Sequence, residues 1–424
     1  NVFFQAGPPA LSERQFRTAT SSKIKVLNSF ETDSDEIRHC DLTVQALSKI
    51  KFVKSLVPVS DELVFNDFKN DFNVNSEALS ASYEYLRKHG PIHFLPQHNS
   101  WIILNYNDIE YVLKEPSIFS SSLLKEYDPI LLGADPEMHK LIRTLLQPLF
   151  SPSVISEMAQ FTSLIAEQIL EELCNRNSFD FVKDYSDPLS LLVLCNFFGL
   201  SSEDANKMLD YTGKDYHNML YWQRLEEFFK NQFIDCNLTK DDCLWGELRE
   251  LVKKNEFSLA DAISLLRIVW TAGMATTSAL ISTSINIALN EKQLAEQIAS
   301  DEKLVSKFIE ECLRLQTPLS AIYRITTQPV KLCDQELPVN TVVLLHLKSG
   351  MTDPSQYPDP HEFSIMRPAK RHLAFGTGIH QCIGMGIARA EARSALQIVL
   401  GKLDKLKNCS VEKPEYIKIS ELET

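Results

Sequence analysis

The stretch HLAFGTGIHQCIGMGIARAE, residues 372–391, places one cysteine, Cys382, between a glycine-rich approach and a run with helical spacing of apolar residues. A thiolate at such a point is favoured by the helix dipole and by backbone N–H groups that lack an intrahelical partner. Gly376, Gly378 and Gly384 surround it, and glycine lets a backbone turn sharply or lie flat against a large planar ligand. Two chemistries follow: a metal-ligating thiolate, or a buried structural thiol, the commoner fate of an isolated cysteine. Elsewhere Glu311 and Arg314 stand three apart in EECLRL, and His139 and Arg143 four apart in DPEMHKLIRTLLQPLF. Those spacings put each pair on one helical face, where the ordinary outcome is a surface contact.

The chain that must position these groups has 424 residues, 44% of them hydrophobic, enough for a sizeable buried core. Its formal charge of −13 supplies no global basic field for nucleic acid or an anionic membrane surface. Nine cysteines without a CxxC pair read as reduced thiols in a cytoplasmic setting rather than as a zinc or disulfide framework. Residues 1–65 are weakly periodic, lack a continuous apolar run, and are expected to form an N-terminal extension, with NVFFQAGPP as a disordered or appended arm. Residues 66–424 are expected to form a single domain. The stretch 268–290 carries no charge and is long enough to span a bilayer. Its many Ser, Thr, Ala and Gly residues favour a buried core helix over a membrane anchor.

Along the chain, residues 76–121 read as helix, strand, turn, strand and helix. Helical patterns dominate from 135 to about 310, with starts signalled by Ser151-Pro152 and by Ser258 with Asp261 three residues on. Strand-like runs return at SAIYRITTQPVKL and TVVLLHLKS, and the segment after Cys382 is helical. The fold class is mainly α with a smaller β portion.

Phe375, Gly378, Cys382 and Gly384 form F-x-x-G-x-x-x-C-x-G, with His380 two residues before the cysteine. This resembles the haem-thiolate loop of the cytochrome P450 superfamily, in its soluble bacterial form, and independent parts occur in that family's order. The resemblance implies the cytochrome P450 fold and haem b (iron protoporphyrin IX), with Cys382 as the metal ligand and Phe375, Gly376 and Gly384 shaping the loop around it. It assigns His139, Arg143, Arg324 and His380 to the haem propionates. With Arg367 of FSIMRP, Glu311 and Arg314 resemble the structural Glu-Arg-Arg cluster that braces the haem loop.

In TAGMATTSAL the family's central-helix pattern is filled by Ala272, Gly273, Met274, Ala275 and Thr276. The acid that usually precedes the threonine is replaced by Ala275. Thr276 keeps the hydroxyl, and proton delivery is expected to use water, a substrate group or Thr277. Met351-Thr352 stands where soluble relatives commonly have Asn-Arg before Asp-Pro, which implies altered packing there. Substrate contacts are expected from Met274, Leu319, Ala321 and Ile322, from the 115–132 loop, and from an aromatic lid of Tyr211, Tyr216, Tyr221 and Trp222.

The resemblance implies a monooxygenase that uses O2 and electrons from a ferredoxin-like donor with a separate reductase. Its substrate would be a small, largely apolar or aromatic molecule of specialised metabolism, free or bound to a carrier protein. Rival readings are a non-hydroxylating P450, performing phenol coupling or peroxide-driven oxidation, and a non-catalytic haem-binding sensor.

Overall fold

The helical spacing of apolar residues is realised as α1 (Ser76–His89), α2 (Tyr106–Lys114), α3 (Pro136–Leu146), α4 (Pro152–Leu173), α5 (Asp187–Phe197) and α6 (Ser202–Thr212). These are followed by α7 (Met219–Ile234), α8 (Leu244–Lys253), α9 (Leu259–Asn290), α10 (Lys292–Ser300), α11 (Glu302–Leu315) and α12 (Met385–Leu400). The structure, a computed structural model, describes residues 76–406 except 97, 126–127, 135, 177, 213–218, 235–243 and 256. The expected extension 1–65 lies outside the described residues, as do the side chains of Tyr211, Tyr216, Tyr221 and Trp222.

The β portion comprises β1 (Ile92–Leu95), β2 (Ser100–Ile103), β3 (Phe119–Ser120), β4 (Ile322–Thr326), β5 (Val330–Leu332), β6 (Gln335–Leu337) and β7 (Val342–Leu345). Five strands form one sheet in the order β1-β2-β7-β4-β3, with β2 parallel to β7 and the other pairs antiparallel. The run 320–332 reads as one strand but folds as two, because Pro329 between β4 and β5 has no N–H to offer a ladder. β5 returns as β6 through Cys333 and Asp334, both at positive φ.

Local signals set the helix starts. Ser258 caps α9 by accepting the Asp261 N–H at 3.0 Å and donating to its carboxylate at 2.6 Å. Ser151 precedes Pro152 at the first position of α4. Helix α9 is long and apolar enough to cross a membrane, but it packs against α5, α7, α8, α10, α11 and α12. Trp270, Ile281 and Ile285 are buried in the main helical core. One stripe of α9 stays open: Ala272, Ala275 and Ala279 are exposed and Thr276 half-buried. A helix covered on so many sides with an accessible stripe of small residues forms the wall of a cleft.

A second core joins the sheet to α2 through Ile103, Ile109, Phe119, Val343, Leu345 and Leu373. Phe375 packs on the helical core, and Ala374 touches both cores. The approach to Cys382 therefore runs along the junction of the two.

Candidate functional site

Backbone geometry explains the glycines of the cysteine loop. Gly376 and Gly378 have φ of +63° and +73°, which L side chains rarely adopt. A Cβ on Gly378 would also stand 2.2 Å from the Leu113 carbonyl oxygen at the end of α2. The loop is closed by Gly376 N–H donating to Leu373 O at 2.8 Å and Cys382 N–H donating to Phe375 O at 2.9 Å. Gly378→Ala is expected to displace the loop and cost about 1–3 kcal/mol from backbone strain alone. Thermal melting and bound haem per chain should both fall; an alanine variant with wild-type values would refute the close approach.

Cys382 ends this loop just before α12. Its side chain is accessible, yet it lies deep enough that burial pushes its thiol up. The N–H groups of Gly384 and Met385 and the charges of Arg143 and Arg389 pull the other way. The thiol thus stands accessible just before the N-terminus of α12.

The basic residues converge on the same loop. Arg143, on α3, donates to the Gln381 carbonyl at 2.7 Å. One turn earlier His139 meets the His380 ring edge-on, with centroids 4.3 Å apart. Arg324, on β4, is buried and donates to the Tyr323 carbonyl at 2.6 Å. Burial lowers Arg324 to about 10. Burial, then Arg143, takes His139 to about 4. His380 falls to about 3 through burial and through His139, Arg324 and Arg143. Among the described residues, none of the four has a carboxylate partner.

Along α9, Thr276 donates its hydroxyl to Ala272 O at 2.8 Å, leaving its oxygen lone pairs free. Gly273 faces Leu194 of α5, whose Cδ1 would lie 3.1 Å from an added Cβ. Two sequence expectations shift here. Met274 and Thr277 are each 3% exposed, because they lie one or two residues from Ala275 and Thr276, and steps of about 100° per residue turn them away from the stripe those two form with Ala272. Met274 belongs to the helical core rather than to a pocket wall. Leu319 is exposed, and Ala321 and Ile322 are half-buried.

Glu311 and Arg314 make a buried bidentate pair, Nε to Oε2 at 2.8 Å and Nη2 to Oε1 at 2.7 Å. Arg367 Nε reaches Glu311 Oε1 at 3.1 Å. Burial alone would raise the Glu311 carboxyl, but Arg314, the Ser364 N–H and Arg367 hold it below its ordinary value. Arg314 also donates to the carbonyls of Met351 at 2.9 Å, Pro360 at 2.7 Å and Glu362 at 3.1 Å.

Other contacts had no sequence signal. Arg389 grips Glu310 at 2.7 and 2.8 Å, and Glu310 meets His372 at 3.1 Å. At the Met351-Thr352 departure, a guanidinium arrives from α1 instead: Arg87 donates to Ser349 O at 2.8 Å and Thr352 O at 3.1 Å. Ser278, on the buried side of α9, donates to Asp187 and ties α9 to α5.

A helix-terminal thiol beside two arginines and two histidines, none with a carboxylate partner among the described residues, would suit a metal-bearing cofactor that carries two carboxylates. Comparison with known proteins agrees. The family model for Cytochrome P450 matches residues 190–419, more than half of the chain. Cyclomarin C epoxidase CymV of Salinispora arenicola (strain CNS-205) is 26% identical over 356 residues, covering 78% of this chain and 90% of that protein. Cytochrome P450 109 of Bacillus spizizenii is 26% identical over 335 residues, covering 75% and 82%. Among solved structures, the post-tailoring hydroxylase HmtN of himastatin biosynthesis superposes with a TM-score of 0.69 at 26% identity, over 74% of this chain and 85% of that one. Myxobacterial CYP267B1 in complex with myristic acid superposes with a TM-score of 0.68 at 25% identity, over 76% and 88%. The chain thus belongs to the cytochrome P450 family, whose members bind haem through a cysteine thiolate and act as monooxygenases.

Proposed function

We propose that Cys382 ligates the haem iron and that the protein inserts oxygen into a small, largely apolar or aromatic substrate. The reading rests on one observation: four basic side chains gather at the Cys382 loop, and none of the four has a carboxylate partner among the described residues. Haem iron held by a cysteine thiolate activates O2, the sulfur's electron density favouring O–O cleavage.

The chain's own residues do the rest. Arg143 and Arg324 carry charge opposite the propionates. His139 and His380, which meet edge-on beside Arg143, would offer ring N–H groups to the same carboxylates. Gly376 and Gly384 keep side chains away from the macrocycle, and the alanine stripe of α9 leaves room above it. Thr276 Oγ1, with its hydrogen committed to Ala272 O, has lone pairs that would accept a hydrogen bond from water or from a substrate hydroxyl. Ala275 has no proton to give, so protons reach Thr276 through water or through a hydroxyl or carboxyl of the substrate. Thr277 is packed away from this route. Leu319, Ala321 and Ile322 supply apolar surface to the substrate.

The named relatives include an epoxidase and a himastatin-pathway hydroxylase, which supports a role in specialised metabolism on a free or carrier-bound substrate. Electrons come from a ferredoxin-like donor with a separate reductase, in the cytoplasm. Ala275 gives specific support to one second reading, oxidative coupling without oxygen insertion.

Turnover under isotopically labelled O2 separates the two: labelled product supports monooxygenation, and product with no inserted oxygen supports coupling. Because a positioned proton-transfer group is worth at least about 10²-fold, Thr276→Ala should lose product on that scale and release peroxide instead. Thr277→Ala should retain product. Equal losses in both variants would overturn the role given to Thr276, and a chain that turns over no substrate with electrons supplied would be a sensor.

A further inference from the structure

Beneath the cysteine loop lies a recess lined by Glu310, His372, Phe375, Gln381, Met385 and Arg389. The Arg389 guanidinium sits over the Phe375 ring, 4.5 Å from its centroid, where a cation is attracted by the ring quadrupole. It is held there by both oxygens of Glu310, and Glu310 is held in turn by His372. Phe375 is also the residue whose carbonyl accepts the Cys382 N–H. The cation is thereby fixed against the loop that presents the sulfur.

Resting on the assignment of Cys382 as iron ligand, we propose that Arg389 is a positioning residue that sets the iron's reduction potential by placing a fixed positive charge behind the sulfur, with Glu310 as its partial counterweight. Arg143 and Arg389 both place cationic charge near the Cys382 sulfur, and Lys370 and Arg371 line the same recess as Arg389. Arg143 approaches by way of the Gln381 carbonyl, whereas Arg389 approaches from α12. The step affected is the transfer of one electron from the ferredoxin-like donor to ferric haem, giving ferrous haem. No bond forms or breaks, and the site becomes one charge more negative. A nearby cation favours that product, and the Glu310 carboxylate opposes it. The side chains of Arg389 and Glu310 remain 30% and 41% exposed, so the influence weakens as salt rises.

The test is a spectroelectrochemical titration of the haem-loaded full chain at low ionic strength. Arg389→Gln should lower the midpoint by a tenfold change in the one-electron equilibrium, about 59 mV. Arg389→Lys should restore most of it, and Glu310→Gln should move the midpoint upward. The two neutral variants break the same ion pair, so a merely structural role would move both in one direction. Shifts of the same sign, or an Arg389→Gln midpoint equal to wild type, would overturn the proposal. The reduced carbon-monoxide spectrum keeps the two ideas apart: if wild type shows no thiolate band, the assignment of Cys382 fails; if all variants keep the band but share one midpoint, only the role of Arg389 fails.

Discussion

Cys382→Ala is expected to abolish the thiolate Soret band of the reduced carbon-monoxide complex and, with it, all turnover. The effect should be total rather than graded, because among the described residues the other cysteines lie on other elements: Cys195 and Cys312 are buried in the helical core, Cys174 ends α4 and Cys333 joins β5 to β6. The fold should survive, since the Cys382 side chain is accessible and the loop's closing bond uses its backbone N–H, which alanine retains. Circular dichroism and melting of the haem-free variant should match wild type. The imidazoles at hand are His380 and His139, so a wild-type spectrum of histidine ligation would transfer the iron to one of them and sink the assignment of Cys382.

Arg314→Ala is the second large expected effect. It removes the Arg314 contact from each oxygen of buried Glu311 and orphans the carbonyls of Met351 and Pro360, while Arg367 still donates to Glu311 and to the Glu362 carbonyl. Breaking a buried ion pair by deleting one partner costs about 3–5 kcal/mol, a large share of the roughly 5–15 kcal/mol that holds a domain together. Denaturant titration should show the loss, and at growth temperature the variant should accumulate poorly. The Glu311 carboxyl is held below its unfolded value, so its contribution is full above the ordinary carboxylate range and disappears as pH falls through the depressed value. Acid should therefore narrow the gap between wild type and variant. A stability difference that is small, or that is unchanged in acid, would mean that Arg367 alone suffices.

The legible parts of this molecule were those written locally. The Ser258 and Ser151 helix starts need only neighbouring residues, and so do the glycines that bend the cysteine loop. The Glu311–Arg314 pair was visible as a helical spacing, although its burial and its three carbonyl partners were not. Rotation about α9 decided the fate of Met274 and Thr277: adjacent letters lie about 100° apart on a helix, and only packing shows which direction is open. The contacts that escaped notice join distant segments. Arg87 and Thr352 are separated by 265 positions, and Arg389 and Glu310 by 79, distances over which no periodic pattern carries information.

That remoteness also dictates an order of assembly. The bond from Arg143 to the Gln381 carbonyl closes a span of 238 residues, and Tyr185 reaches the Ala395 carbonyl across 210. Contacts so far apart form slowly because chain entropy is surrendered before they repay it. Helices α4, α5 and α9 can pair early, whereas the cysteine loop must wait for the segment after residue 350 to come home. Haem capture is therefore expected late, after segments on both sides of residue 350 have closed the loop around Cys382.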